Sequence, residues 1–279
     1  MIKIYRADIA QVPDEEAVEK NMIFLDEMRR RKVTQCRNLG DKRRSLLAGF
    51  LIQAGAKDWM REESGLQKES APLSLSYAFS EYGKPYLRGE RELHFNLSHS
   101  GNYVVCAFSD EEIGIDIQMQ RKRQGDIVRR FFSREDKELL EKMTNGGMNS
   151  DEAFYCMWTV KEAYMKLTGE GMRQGLDASV IEVSQDGRGE GFWPEREGGI
   201  LGWGRISKRE DADSGAYFRS YEERDKENKY SMSVCSYGKI VDIQREEIFI
   251  PEGDGPGVLT AWHSGELGTG QYAGTALQK

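Results

Sequence analysis

The sequence predicts a mixed α+β chain, with strands and helices interleaved along most of its length. Three observations predict it. Ile2-Lys3-Ile4-Tyr5 alternates in the manner of a strand. Segments of helical texture run over about 14–61, 134–144 and 151–168. Between and after them lie β-rich runs bounded by turn residues, at 103–108, 113–117 and within 178–237. The 279 residues suffice for one large domain or two ordinary ones. They can bury a core without disulfide or metal staples.

The elements follow in order. After the opening strand, 14–61 has few breakers and reads mainly as helix. Within it, 29–44 holds Arg29, Arg30, Arg31, Lys32, Arg37, Lys42, Arg43 and Arg44 against one acid, Asp41, so a local +7 lies in a chain of net charge −7. Such a run forms a solvated helix face or an anion-binding surface. Residues 73–89 read as loop and short strand, with Tyr82-Gly83-Lys84-Pro85 as turn chemistry. Tyr103–Phe108 is a buried-strand candidate. Ser109–Glu112 turns the chain into Ile113–Ile117, which predicts a hairpin. The polar stretch 118–126 predicts a boundary between halves. Ser133 can cap a helix over 134–144, stopped by Asn145-Gly146-Gly147, and Ser150 can cap the next. Strands then occupy 178–237, broken by Gly-rich turns and a charged loop at 222–229. Residues 251–274 hold seven glycines and two prolines but no Lys or Arg, and predict a flexible tail.

Composition removes several classes. The acidic balance, 47 Asp+Glu against 40 Lys+Arg, disfavours a general nucleic-acid binder. No run approaches about 18 apolar residues, so no membrane helix is expected. The first residues do not read as a signal peptide. Cys36, Cys106, Cys156 and Cys235 are far apart and form no C-x-x-C pair, so a reduced, cytoplasmic protein is the simplest reading.

Two elements carry chemistry. On the 113–118 strand, side chains alternate, so Gly114, Asp116 and Gln118 share the face opposite three isoleucines. A carboxylate among isoleucines needs a metal, a cation or backbone N–H groups. On the 151–168 helix, Ala153, Met157, Val160, Tyr164 and Leu167 form an apolar stripe, while Trp158, Glu162 and Lys166 share the other side. A tryptophan there predicts that this side also faces protein, with Glu162 and Lys166 looking into a cleft. Asp116 and Glu162 offer two oxygen ligands of the kind Mg²⁺ takes together with substrate phosphates. Lys161, Lys166 and the 29–44 segment suit a polyanion, and the combination points to phosphoryl-type transfer.

Phe95-Asn96-Leu97-Ser98-His99-Ser100-Gly101, then Ile113-Gly114-Ile115-Asp116-Ile117, then Phe131-Phe132-Ser133, then Trp158-Thr159-Val160-Lys161-Glu162-Ala163-Tyr164-Met165-Lys166, with Tyr82-Gly83-Lys84-Pro85 upstream, resemble the Sfp-type 4′-phosphopantetheinyl transferases. The likeness runs from the first strand to about residue 240. It implies an α+β pseudo-dimer of two similar α/β halves with the active site between them: 1–118 for the adenosine and 3′-phosphate of coenzyme A, 119–248 for metal, catalytic helix and docking, and 249–279 as the tail. The activity implied is of the holo-acyl-carrier-protein synthase kind. Phosphopantetheine passes from coenzyme A to a serine of an acyl or peptidyl carrier protein, with Mg²⁺, and 3′,5′-ADP leaves. The weak echo between Val105-Cys106-Ala107-Phe108 and Val234-Cys235-Ser236-Tyr237 then marks equivalent strands of the two halves.

Carried over, Asp116 and Glu162 hold Mg²⁺, Glu162 is the base for the carrier serine, and Lys166 stabilises charge on the phosphates. Lys161 sits on phosphate. Arg44, Lys32, Lys84, Ser98 and His99 hold the adenosine 3′-phosphate or adenine. Gln118 stands where many members carry a metal-binding glutamate. It keeps an oxygen donor without the charge. Arg121, Arg123, Phe131 and Phe132 form the expected docking surface for an acidic carrier. No nucleic-acid or membrane partner is expected, and the chain is read as a monomer. The competing reading is a non-catalytic module that binds coenzyme A or a carrier protein.

Overall fold

The computed structural model describes residues 1–64, 73–89, 92–122, 126–171, 175–183, 199–240, 242–249 and 257–261. β1 (Ile2–Asp8) is followed by α1 (Glu15–Asn21), α2 (Glu27–Gln35) and the long α3 (Leu39–Ser64). Then come β2 (Tyr77–Phe79), β3 (Pro85–Leu87), β4 (Leu93–Ser100), β5 (Tyr103–Ser109) and β6 (Ile113–Met119). The short α4 (Ile127–Phe131) precedes α5 (Arg134–Asn145) and α6 (Ser150–Thr168). β7 (Ser179–Val183), β8 (Ile200–Lys208), β9 (Asp211–Arg224), β10 (Lys229–Ser236), β11 (Ile243–Phe249) and β12 (Gly257–Ala261) complete the order.

Two sheets result. The first runs β12-β11-β1-β5-β4-β3-β2 and the second β6-β10-β9-β8-β7. Leaving aside β11 and β12, the second order repeats the first with every strand number raised by five. The long helices occupy matching places, α3 between β1 and β2, α6 between β6 and β7.

Side-chain alternation assigns each strand face to a core. Tyr5, Cys106 and Phe108 pack with Leu47, Phe50 and Leu51 of α3. Ile4, Val105 and Ala107, on the opposite faces of β1 and β5, meet Ile113, Ile115, Ile117, Met232 and Val234 of the second sheet. Cys235 and Phe218 face α6. The layers are therefore α3, first sheet, second sheet and α6. β5 is buried on both faces, which is why it reads as an unbroken apolar run.

Several expectations change. The 103–117 hairpin does not form. β5 is already paired on both edges, by β1 and β4, so the chain turns at Ser109–Glu112 and delivers β6 to β10 in the other sheet. A division at 118 therefore cuts across the sheets, because β6 belongs with the strands after it. β11 in turn rejoins the first sheet, parallel to β1. The expected tail over 249–279 is in part a strand, since β12 pairs with β11; residues 250–256 and 262–279 lie outside the described residues. Ser133 caps α5 in a reciprocal capping box with Asp136, and α5 ends at Gly146. The cap of α6 is Asn149, whose side chain accepts the Asp151 N–H, and Ser150 is the first helical residue. Gly169 ends α6 with φ +76°, a left-handed conformation open to glycine.

Gly114 decides how close α6 approaches β6. A Cβ there would lie 2.0 Å from the Ala163 carbonyl oxygen and 2.6 Å from the Leu167 nitrogen, both helix backbone. Only glycine permits that contact. Gly114→Ala should push α6 off the strand and destabilise the protein by about 1–3 kcal/mol or more. Thermal denaturation measures this, and an unchanged melting temperature would show that α6 does not rest on β6.

Candidate active site

β6 is the edge strand of the second sheet, and its outward N–H groups need partners. β4 supplies them with side chains. Asn96 Oδ1 accepts the Ile115 N–H at 3.0 Å, Ser98 Oγ accepts that of Ile117 at 3.3 Å, and Ser100 Oγ accepts that of Met119 at 2.9 Å. The period of two in Asn96-x-Ser98-x-Ser100 matches the period of the edge it faces. This alternation was the available signal for the role of Asn96 and Ser100, which the sequence reading did not assign.

Asp116 lies in the middle of the seam and is 2 % exposed. Its Oδ1 accepts the Ser98 hydroxyl at 2.7 Å and the Lys166 ammonium at 2.8 Å. Lys166 also reaches the Ile115 carbonyl at 3.1 Å. Oδ2 is buried with no hydrogen-bond partner among the described residues. An orphaned carboxylate oxygen of this kind is costly unless something binds it.

Glu162 is half-buried one turn before Lys166. Burial first, then the charge of Asp116, raises its pKa above the ordinary 4.5, and Lys166 opposes the rise. The two carboxylates thus feel each other across β6 and α6. Trp158 packs on Phe131 and Phe154, with ring centroids 5.8 and 5.6 Å apart, so this side of α6 does face protein.

Asp116 and Glu162 fit Mg²⁺, which needs one or two carboxylates and completes its shell with water and substrate phosphates. Among the described residues no group of three or more His, Cys, Asp or Glu is arranged to hold a metal. Gln118 lies on the Asp116 face, with Oε1 accepting the Ser100 hydroxyl at 3.3 Å.

His99 is near the same centre. Desolvation, Arg44 and Lys166 lower its pKa, while Asp41 raises it. Arg44 is held by Asp41 at 3.0 Å. Lys84 donates to the Leu167 carbonyl at 3.0 Å at the end of α6, and burial pulls its pKa down to about 8 against the pull of Glu112. Lys32 projects from α2, where burial and then Arg29 lower its pKa and Asp26 opposes them.

Three expectations are corrected. Lys161 is 0 % exposed and bonds Asp136, so it does not face a ligand. The Ser98 hydroxyl is committed to Asp116 and β6, not displayed to a phosphate. Phe132 is 3 % exposed and stacked on Phe154 at 5.2 Å, so it is core and not docking surface. Much of the 29–44 charge is paired, in part on a solvated helix face: Arg29 is buried, Arg31 pairs with Glu27 at the exposed surface, Lys42 with Glu15, Arg44 with Asp41, and Arg43 bonds the Pro13 carbonyl. Arg123 lies outside the described residues. Arg129, Arg130, Phe131, Asp126 and Ile127 line an open cavity of about 450 Å³, and the Arg130 guanidinium lies 5.1 Å from the Phe131 ring centre.

Metal titration tests the carboxylate centre. Ser98→Ala should raise the Mn²⁺ concentration for half-saturation roughly 10-fold by releasing Oδ1. Gln118→Glu should lower it by adding a charge. Calorimetry reads both, and two unchanged affinities would remove metal from this site.

Residues 112–235, from the start of β6 into β10, match the family model of the 4′-phosphopantetheinyl transferase superfamily. The chain is 29 % identical over 236 residues to the 4′-phosphopantetheinyl transferase Sfp of Bacillus subtilis (strain 168), covering 84 % of this chain and 92 % of that protein. It is 31 % identical over 199 residues to the 4′-phosphopantetheinyl transferase psf-1 of Bacillus pumilus, covering 70 % and 81 %. It is also 31 % identical over 169 residues to the 4′-phosphopantetheinyl transferase HetI of Nostoc sp. (strain PCC 7120 / SAG 25.82 / UTEX 2576), covering 58 % and 62 %.

Proposed function

The chain belongs to the 4′-phosphopantetheinyl transferases, and from that premise we propose that Asp116, Glu162 and Lys166 are its transfer centre. It passes a 4′-phosphopantetheinyl group to a carrier protein. The donor is coenzyme A, the acceptor a carrier serine, and 3′,5′-ADP leaves. The subtype is that of the Sfp-like relatives, acting on acyl or peptidyl carriers. The repeated strand order supports two duplicated halves, with the division in the Ser109–Glu112 turn and Val105-Cys106 and Val234-Cys235 on the corresponding strands β5 and β10.

The observation that carries the assignment is the two-sided treatment of Asp116. One oxygen is clamped by Ser98 and Lys166, while the other is buried with no hydrogen-bond partner among the described residues. Asp116 Oδ2 and Glu162 would hold Mg²⁺, with Gln118 as a neutral oxygen donor beside them. The metal supplies charge neutralisation on the pyrophosphate. Glu162 accepts the proton of the carrier serine as its oxygen bonds to phosphorus and the bond to the ADP oxygen breaks. Lys166 opposes charge that develops on the departing phosphate. His99 lies within electrostatic reach of Arg44 and Lys166, and in this reading Arg44, His99 and Lys84 take the adenosine phosphate.

Incubation with coenzyme A, Mg²⁺ and an apo-carrier should add a phosphopantetheine mass to the carrier, and Asp116→Ala and Glu162→Ala should abolish the gain. Glu162 must be ionised to act, so the rate should fall as pH drops toward the carboxylate range. Binding of coenzyme A and carrier with no mass gain would favour the non-catalytic module instead.

Arg121, Arg129, Arg130 and Phe131 form the carrier-docking surface in this reading, a basic rim beside an aromatic ring suited to an acidic helix. The double variant Arg121→Glu/Arg129→Glu should raise the carrier KM at least several-fold and leave the KM for coenzyme A unchanged. An untouched carrier KM would place docking elsewhere.

A further inference from the structure

Lys161 sits beside the proposed base in sequence, yet its side chain enters a different part of the molecule. Its ammonium carries three N–H donors. Asp136 Oδ2 takes one at 2.8 Å, the Leu176 carbonyl one at 2.9 Å, and the Ser179 carbonyl one at 2.6 Å. None is left for a ligand, and at 0 % exposure no phosphate reaches it. A buried ammonium is tolerated only with such complete satisfaction.

The partners are themselves fixed. Asp136 is the third residue of α5, and its Oδ2 also accepts the Ser133 N–H at 2.9 Å within the capping box. Leu176 belongs to the single turn before β7, and Ser179 begins that strand. One atom on α6 therefore joins the start of α5, that turn and β7.

Ala163 is held from the other side, with its carbonyl packed against Gly114 of β6. Residues 161 and 163 are about 200° apart around a helix. A helix pinned at both cannot turn about its axis or slide along it. Glu162 lies between the two pins.

We propose that Lys161 is a positioning residue: its ammonium, tied to Asp136, Leu176 and Ser179, fixes the rotation and height of α6 that turn Glu162 toward Asp116. This rests on the reading of Glu162 as the base. It replaces a phosphate-binding role for Lys161 with a mechanical one.

The test compares Lys161→Met, Asp136→Asn and Glu162→Ala in the full chain. Circular dichroism gives the folded fraction, the carrier mass assay gives kcat per folded molecule, and calorimetry gives the Kd for 3′,5′-ADP. Lys161→Met should lower kcat about 10- to 100-fold, the usual cost of a small misplacement at a reacting centre, with the Kd changed less than about twofold. Asp136→Asn keeps the shape and two of the three acceptors, so it should show a smaller loss in the same direction. It carries the comparison if Lys161→Met does not fold. A raised Kd for 3′,5′-ADP with kcat retained would make Lys161 a phosphate ligand and overturn the proposal. Unchanged kcat and Kd per folded molecule would make the ion pair purely structural and overturn it too. Wild-type kcat in Glu162→Ala would instead overturn the reading of Glu162 itself.

Discussion

The seam between β4 and β6 is the constraint on which the rest of the molecule depends. A seven-stranded and a five-stranded sheet have to meet along the β6 edge, and edge strands carry unpaired backbone donors. Here side chains replace the missing strand. Asn96, Ser98 and Ser100 satisfy Ile115, Ile117 and Met119. The same seam places Asp116 where Ser98 can reach one of its oxygens, and it gives Lys166 a backbone carbonyl to hold. Structure and chemistry share these atoms, so polar residues that would weaken an ordinary strand interior are placed where three apolar side chains would leave N–H groups stranded.

Much of the fold was legible in local pattern. Alternation marked β1 and β6, an unbroken apolar run marked β5, capping residues marked α5, and helical period marked α6. Asp116, Glu162 and Lys166 were grouped by asking which residues share a face, and β6 and α6 bring them together. Partnership between distant strands was not legible. Nothing in Tyr103–Ile117 records that β5 has both edges occupied, because β1 lies about a hundred residues upstream. The same holds for Lys161, since its partner Asp136 lies on another helix and its neighbour Glu162 invites the inference that both serve one ligand.

Charge illustrates the difference between amount and placement. The 29–44 segment reads as a basic patch, but Arg29 is buried, Arg31 and Lys42 pair with Glu27 and Glu15, and Arg43 bonds a carbonyl. What reaches the centre is sparser: Arg44 and Lys166 near His99, and Lys84 at the end of α6. A few cations close to a low-dielectric wall act more strongly on a phosphate than many scattered in solvent.

The parallel pairing of β1 with β11 brings Ile2 opposite Ile243. Because β11 follows β1 by about 240 residues, one β1 edge waits for its neighbour until the intervening chain has emerged. Loop closure over such a distance is slow compared with forming helices such as α3. The first sheet is therefore completed late, and the β1 edge stays unprotected until β11 emerges, a surface on which chaperone contact or mispairing would concentrate.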